Sequence, residues 1–89
     1  MKNFIKAVIK ELMDNENLKV ENNTATLTCK KYWIMSSRMN TLEWFLFKNN
    51  IKYKKRMPIS TDKCLCFSYS FTFENKEINF LIQWENDGK

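Results

Sequence analysis

The chain has 89 residues, a net charge of +5 at pH 7 and an apolar fraction of 44%, which is enough for one domain that folds unaided. It contains no histidine and a single glycine, Gly88, so a His-based nucleophile pair and a glycine-rich phosphate loop are excluded. The start shows no basic–apolar–small leader and no apolar run approaches a membrane span, so the expectation is a soluble protein of the cytoplasm with no membrane partner.

Residues 3–14 place Phe4, Ile5, Val8, Ile9, Leu12 and Met13 on one stripe at helical spacing, with Lys2, Lys6 and Lys10 on another face. This predicts a first helix. Leu18 to Glu21 and Thr24 to Cys29 then read as two strands joined by Asn22-Asn23, because asparagine tolerates the positive φ of a tight hairpin turn. With that turn, Val20 faces Ala25 and Leu18 faces Leu27, all on one side of the hairpin.

Met35, Met39, Leu42 and Leu46 follow helical spacing and Phe45 widens the stripe. Ser36 or Ser37 is a suitable cap, Asn40 with Glu43 resembles a later capping pair, and Asn49-Asn50 marks an exit; the prediction is a second helix at about 37–49. Trp33 is assigned to the edge of the core, although Tyr32 and Trp33, lying between Lys31 and Arg38, are also of the type that stacks on a base or anchors a protein contact.

Residues 51–57 alternate, with Ile51, Tyr53 and Met57 on one parity and Lys52, Lys54 and Arg56 on the other. Pro58 is expected to stop this strand and 58–63 to form a loop. The stretch CFSYSFTF, 66–73, then carries an aromatic at every second residue. With a turn at Asn75-Lys76 the pairs Phe73–Ile78, Phe71–Phe80, Tyr69–Ile82 and Phe67–Trp84 fall on one face, while Ser68, Ser70, Thr72, Asn79 and Gln83 fall on the other. A base-stacking platform needs aromatics on the exposed side of a sheet with a separate core behind it. Here the opposite face of these two strands has none, so the stripe is read as core.

The predicted architecture is a single compact α+β domain over 1–89, in the order α-β-β-α-β-β-β. Two helices pack on one face of a mostly antiparallel sheet of about five strands, with strand order open beyond the hairpins. An exposed edge strand offers a route to a homodimer.

The charge is uneven. Residues 1–27 are neutral, 28–56 carry +7 and 57–89 carry −2. The middle block supplies the candidate partner- or nucleic-acid-binding residues Lys30, Lys31, Arg38, Lys52, Lys54, Lys55 and Arg56, with the densest group at 52–56. The cysteines, Cys29, Cys64 and Cys66, are odd in number and fit reduced thiols rather than a disulfide framework; their spacing does not match a zinc site. No cofactor or metal is expected, and the missing chemistry argues against an enzyme. Abundant Lys, Asn and Ile reflect A/T-rich codons and point to a bacterial or phage origin.

Together these features predict a small non-enzymatic binding protein. The leading expectation is a phage or mobile-element inhibitor that occupies a host protein or ribonucleoprotein surface, in the manner of an anti-CRISPR protein. The rival expectation is direct DNA or RNA binding by the basic block of residues 30–56.

Overall fold

A computed structural model of the chain describes residues 7–8, 17–60 and 64–85. The helix predicted at 3–14 lies outside these residues, apart from Ala7 and Val8, which are helical. The described elements are β1 (Asn17–Glu21), β2 (Thr24–Cys29), α1 (Tyr32–Lys48), β3 (Tyr53–Ser60), β4 (Cys64–Phe73) and β5 (Lys76–Glu85).

The predicted fold class needs correction. Apart from the helical pair Ala7 and Val8, the described residues hold one helix, not two on a common face, and the five-stranded sheet is mixed, in the order β1-β2-β5-β4-β3. The β2–β5 pair is parallel and the others are antiparallel. Chain direction explains the parallel pair. After β2, α1 carries the chain back, so β3 runs the same way as β2. Two hairpin reversals then give β5 that direction too, and β5 takes the edge of β2 that β1 leaves free. Asn79 N–H donates to the Asn23 carbonyl at 2.9 Å where this pairing begins.

The first hairpin has the predicted register, Val20 opposite Ala25 and Leu18 opposite Leu27, with Asn22 at φ 53°. In the β4–β5 hairpin the turn is Glu74-Asn75, with φ of 51° and 64°, rather than Asn75-Lys76. Positive φ at both positions is what a two-residue turn matching strand twist requires. Phe71 therefore pairs with Ile78, Tyr69 with Phe80, Phe67 with Ile82 and Leu65 with Trp84. Each partner moves by two residues from the predicted pairing, so no side chain changes face.

The aromatic stripe is core. Tyr69 and Phe71 are buried with Ala25, Leu27, Cys29, Ile78, Phe80 and Ile82 beneath Met35, Leu42 and Leu46 of α1, while Phe67 and Phe73 pack at the margin.

α1 starts five residues before the predicted start. Its N-cap is Lys31, in extended conformation, with no side-chain cap; the Lys31 carbonyl accepts from the N–H groups of Ile34 and Met35 at 3.1 Å each. Packing of Met35 against the sheet and the edge-on contact of Tyr32 with Trp84, 5.7 Å between ring centroids, hold this first turn in place of a serine cap. Ser36 and Ser37 lie inside the helix and are exposed. Trp33 is 68% exposed rather than at the core edge, because in a helix it falls far round from the Met35–Leu42–Leu46 stripe.

The exit of α1 is a Schellman motif: Asn50 at φ 59°, Asn50 N–H to Phe47 O at 3.1 Å and Ile51 N–H to Leu46 O at 2.8 Å, with Ile51 packed on the core. Pro58 does not stop β3, which continues to Ser60 with a register shift between Arg56 and Ile59. On an edge strand a missing N–H is tolerated at such an irregularity. Residues 61–63 of the predicted loop and the tail at 86–89 lie outside the described residues.

Candidate functional site

β3 is one edge of the sheet, and its alternation divides its charges between two faces. Lys54 pairs with Ser70, and Arg56 with Ser68. Through β4 and β5 these rows continue across the face turned away from α1 as Lys54–Ser70–Asn79–Thr24 and Arg56–Ser68–Leu81–Thr26. Lys52, just before β3, lines one open groove of about 380 Å³ with Tyr53, Lys54, Ser70, Phe71, Thr72, Glu77, Ile78 and Asn79. Lys52, Lys54 and Arg56 are exposed, and among the described residues none of the three forms an ion pair.

The groove lining includes short polar side chains already in register. Ser70 Oγ donates to Asn79 Oδ1 at 2.9 Å. Further along this face Gln83 Nε2 donates to Thr28 Oγ1 at 2.9 Å. Hydroxyls and an amide beside lysines suit a phosphate or carboxylate oxygen, with Lys supplying charge and Ser and Thr supplying donors. Glu77 is the one carboxylate among the described residues lining this groove.

Lys55 points the other way. Its Nζ lies 3.1 Å from Glu43 Oε2 and 5.7 Å from the centre of the Phe67 ring, on the α1 side. Tyr69 donates its hydroxyl to the same Glu43 oxygen at 2.8 Å. Burial and this bond to Glu43 push the Tyr69 hydroxyl far above its ordinary value, so it stays protonated. Glu43, Tyr69 and Lys55 thus tie α1 to β3 and β4, and Lys55 belongs to that tie rather than to the open cationic face.

The remaining predicted residues are apart from β3. Lys30 and Lys31 are exposed at the turn leading into α1, and β2 runs parallel to β3, so they sit at the far end of the sheet from Lys52. Arg38 is half-buried on α1. The basic block of 30–56 therefore resolves into a compact cationic edge at 52, 54 and 56, with Lys30, Lys31, Arg38 and Lys55 elsewhere.

Cys29 is fully buried, as its inward parity implies. Cys64 and Cys66 lie opposite Glu85 and Gln83. Burial, then the neighbouring Cys64, raises the Cys66 thiol above its usual range. No group of three metal-ligating side chains occurs among the described residues. No helix among them is long and apolar enough to cross a membrane.

Sequence reasoning missed Glu77, Phe47 and Tyr53 as neighbours of the cationic edge. The available signal was the off-stripe position of Phe47, one residue past Leu46.

No protein-family model and no curated protein sequence matches the chain. Two solved structures from Helicobacter pylori share its fold. One is a candidate nucleotidyltransferase, with a TM-score of 0.55 and 14% identity over 98% of this chain and 44% of the other. The second is the protein JHP933, with a TM-score of 0.51 and 12% identity over 99% of this chain and 43% of the other. The chain thus spans less than half the length of either protein it resembles, and identities this low establish shared architecture only.

Proposed function

We propose that the chain is a non-enzymatic binding protein that holds the phosphates of a nucleic acid, free or within a host nucleoprotein complex, on the cationic edge of its sheet. The supporting observation is the projection of Lys54 and Arg56 from one face of β3, with Lys52 just before the strand, without ion-pair partners among the described residues, beside Ser70, Asn79 and Thr72. Such contacts give affinity without sequence choice.

Inhibition of a host nucleoprotein machine by a phage or mobile element, in the anti-CRISPR manner, is one way this binding would act. A/T-rich composition and the absence of a recognisable catalytic motif in these residues support it. A second copy is a poorer occupant of β3, because the cations of two such edges would face each other.

The likeness to a candidate nucleotidyltransferase favours a second reading, an enzyme transferring a nucleotidyl group. Phosphoryl-transfer sites commonly hold metal on paired carboxylates, and among the described residues the groove lining supplies Glu77 alone. Incubation with each nucleoside triphosphate, Mg²⁺ and RNA or protein acceptors tests it. Labelled product would displace the binding reading.

The binding reading is tested by fluorescence anisotropy of labelled DNA and RNA over a salt series, for the native chain and for the triple charge reversal Lys52→Glu, Lys54→Glu, Arg56→Glu. The native chain should bind with affinity falling linearly on a log–log salt plot, and the triple variant should fold but not bind. Undiminished binding by the triple variant would refute the assignment of this face.

A further inference from the structure

A second depression, of about 530 Å³, opens beside the cationic groove and is lined by Phe47, Asn50, Ile51, Lys52 and Tyr53. The two share Lys52 and Tyr53, at the start of the edge strand. Their characters differ. The first sets Lys54, Ser70, Thr72, Glu77 and Asn79 beside Tyr53, Phe71 and Ile78; the second is walled by the rings of Phe47, 71% exposed, and Tyr53, 36% exposed. Trp44, 61% exposed, extends that wall, with its ring centroid 6.0 Å from that of Phe47 and the planes tilted by 31°.

The backbone fixes this juxtaposition. The Schellman turn at Asn50 reverses the chain sharply between Phe47 on the last turn of α1 and Tyr53 on β3. Tyr53 is held from behind by the Tyr69 ring, 5.9 Å away. Exposed aromatics next to cations that form no ion pair among the described residues match a ligand with phosphates on one side and flat apolar groups on the other. A duplex hides the faces of its bases within the stack, whereas a single strand presents them. On β3, Lys54 and Arg56 lie on one face two residues apart, about 6.8 Å at the strand rise.

We infer that this corner binds single-stranded nucleic acid, with phosphates on Lys52 and Lys54 and a base stacked on the Phe47–Tyr53 wall, Trp44 taking the next. The inference rests on the phosphate-holding reading of β3 and adds the strandedness of the ligand and the residues that select it.

The test compares a labelled oligothymidylate of about 12 nucleotides with a duplex of equal length, for the native chain, Phe47→Ala, Trp44→Ala and Tyr53→Phe. Phe47 and Trp44 are exposed, so their removal leaves the core intact, and circular dichroism verifies this. Stacking is worth roughly 1–3 kcal/mol per base. The single strand should therefore bind more tightly than the duplex and lose about tenfold or more in Phe47→Ala, with an unchanged salt slope, while Tyr53→Phe stays near the native value. Equal binding of duplex and single strand, unaffected by Phe47→Ala and Trp44→Ala, would overturn this inference and leave the phosphate-holding reading standing. No binding of either nucleic acid would overturn both.

Discussion

Tyr69 and Glu43, 26 positions apart in the chain, meet in a 2.8 Å hydrogen bond that joins the centre of β4 to α1. Lys55 reaches the same carboxylate from β3 at 3.1 Å. The side-chain tie therefore fastens the edge strand to the helix, and leaves its other face to Lys54 and Arg56. Fold and candidate site are linked here, because the residue between the two outward cations anchors the strand that carries them.

Tyr69→Phe removes the hydroxyl and leaves the ring in the core. The lost bond to a charged acceptor should cost about 1–2 kcal/mol, a fall in Tm of roughly 5–15 °C. Thermal denaturation followed by circular dichroism at pH 7 reads it. Nucleic-acid affinity should be unchanged when measured well below the melting temperature.

The same residue predicts an alkaline limb in stability. Its hydroxyl is raised above the ordinary 10.0 in the folded chain. Below pH 10 both states hold the proton, and the contribution is complete. Above pH 10 the unfolded chain releases a proton that the folded chain retains, so the contribution falls towards the folded value by up to about 1.4 kcal/mol per pH unit. Urea melts at pH 9, 10 and 11 should show a wild-type loss that is smaller in Tyr69→Phe. Equal slopes in the two chains would contradict the buried hydroxyl.

Asn50 holds a left-handed backbone conformation that closes the Schellman turn. Asn50→Gly should leave stability unchanged or slightly raised, whereas Asn50→Val should lose about 1–2 kcal/mol from strain at positive φ. Denaturant midpoints compare them. A stable valine variant would mean that the turn does not fix the relation of Phe47 to Tyr53.

Glu77 is the acid in the cationic groove. Glu77→Gln should strengthen phosphate binding roughly two- to fivefold at low salt, the size expected of an exposed charge interaction, and the gain should shrink as salt rises. Anisotropy titrations of one labelled oligonucleotide at two salt concentrations measure it.

The legible parts of the fold were those governed by period two. Alternation in 66–73 and 76–84 assigned every core-facing side chain correctly even though the turn was misplaced, because the pairing moved by an even number of residues. Long-range pairing was not legible. Nothing local in Thr24–Cys29 or Lys76–Glu85 announces a parallel ladder, which follows from the directions of all the intervening elements. The early start of α1 was hidden for a related reason: tertiary contacts of Tyr32 and Met35, rather than a capping side chain, hold its first turn. For the site, alternation separated Lys52, Lys54 and Arg56 from Tyr53, but the cluster also took in Lys55, whose partner Glu43 is 12 residues away on another element. Lys30 and Lys31 were grouped by proximity in sequence, while the sheet places them at its other end.

The central claim is that one face of β3, not its charge as a whole, holds the anion. Lys54 and Lys55 are adjacent, equally charged and on opposite faces, so Lys54→Ala and Lys55→Ala compared in salt-dependent binding to the same labelled oligonucleotide test it most directly. Lys54→Ala should weaken binding and reduce the log–log salt slope by close to one phosphate contact, roughly 0.7–0.9. Lys55→Ala should leave the slope unaltered and lower stability by at most about 0.5 kcal/mol, as for a partly exposed pair. Equal slopes for the two variants would contradict the account, and the outward cations would then serve only to keep an edge strand from pairing with another chain.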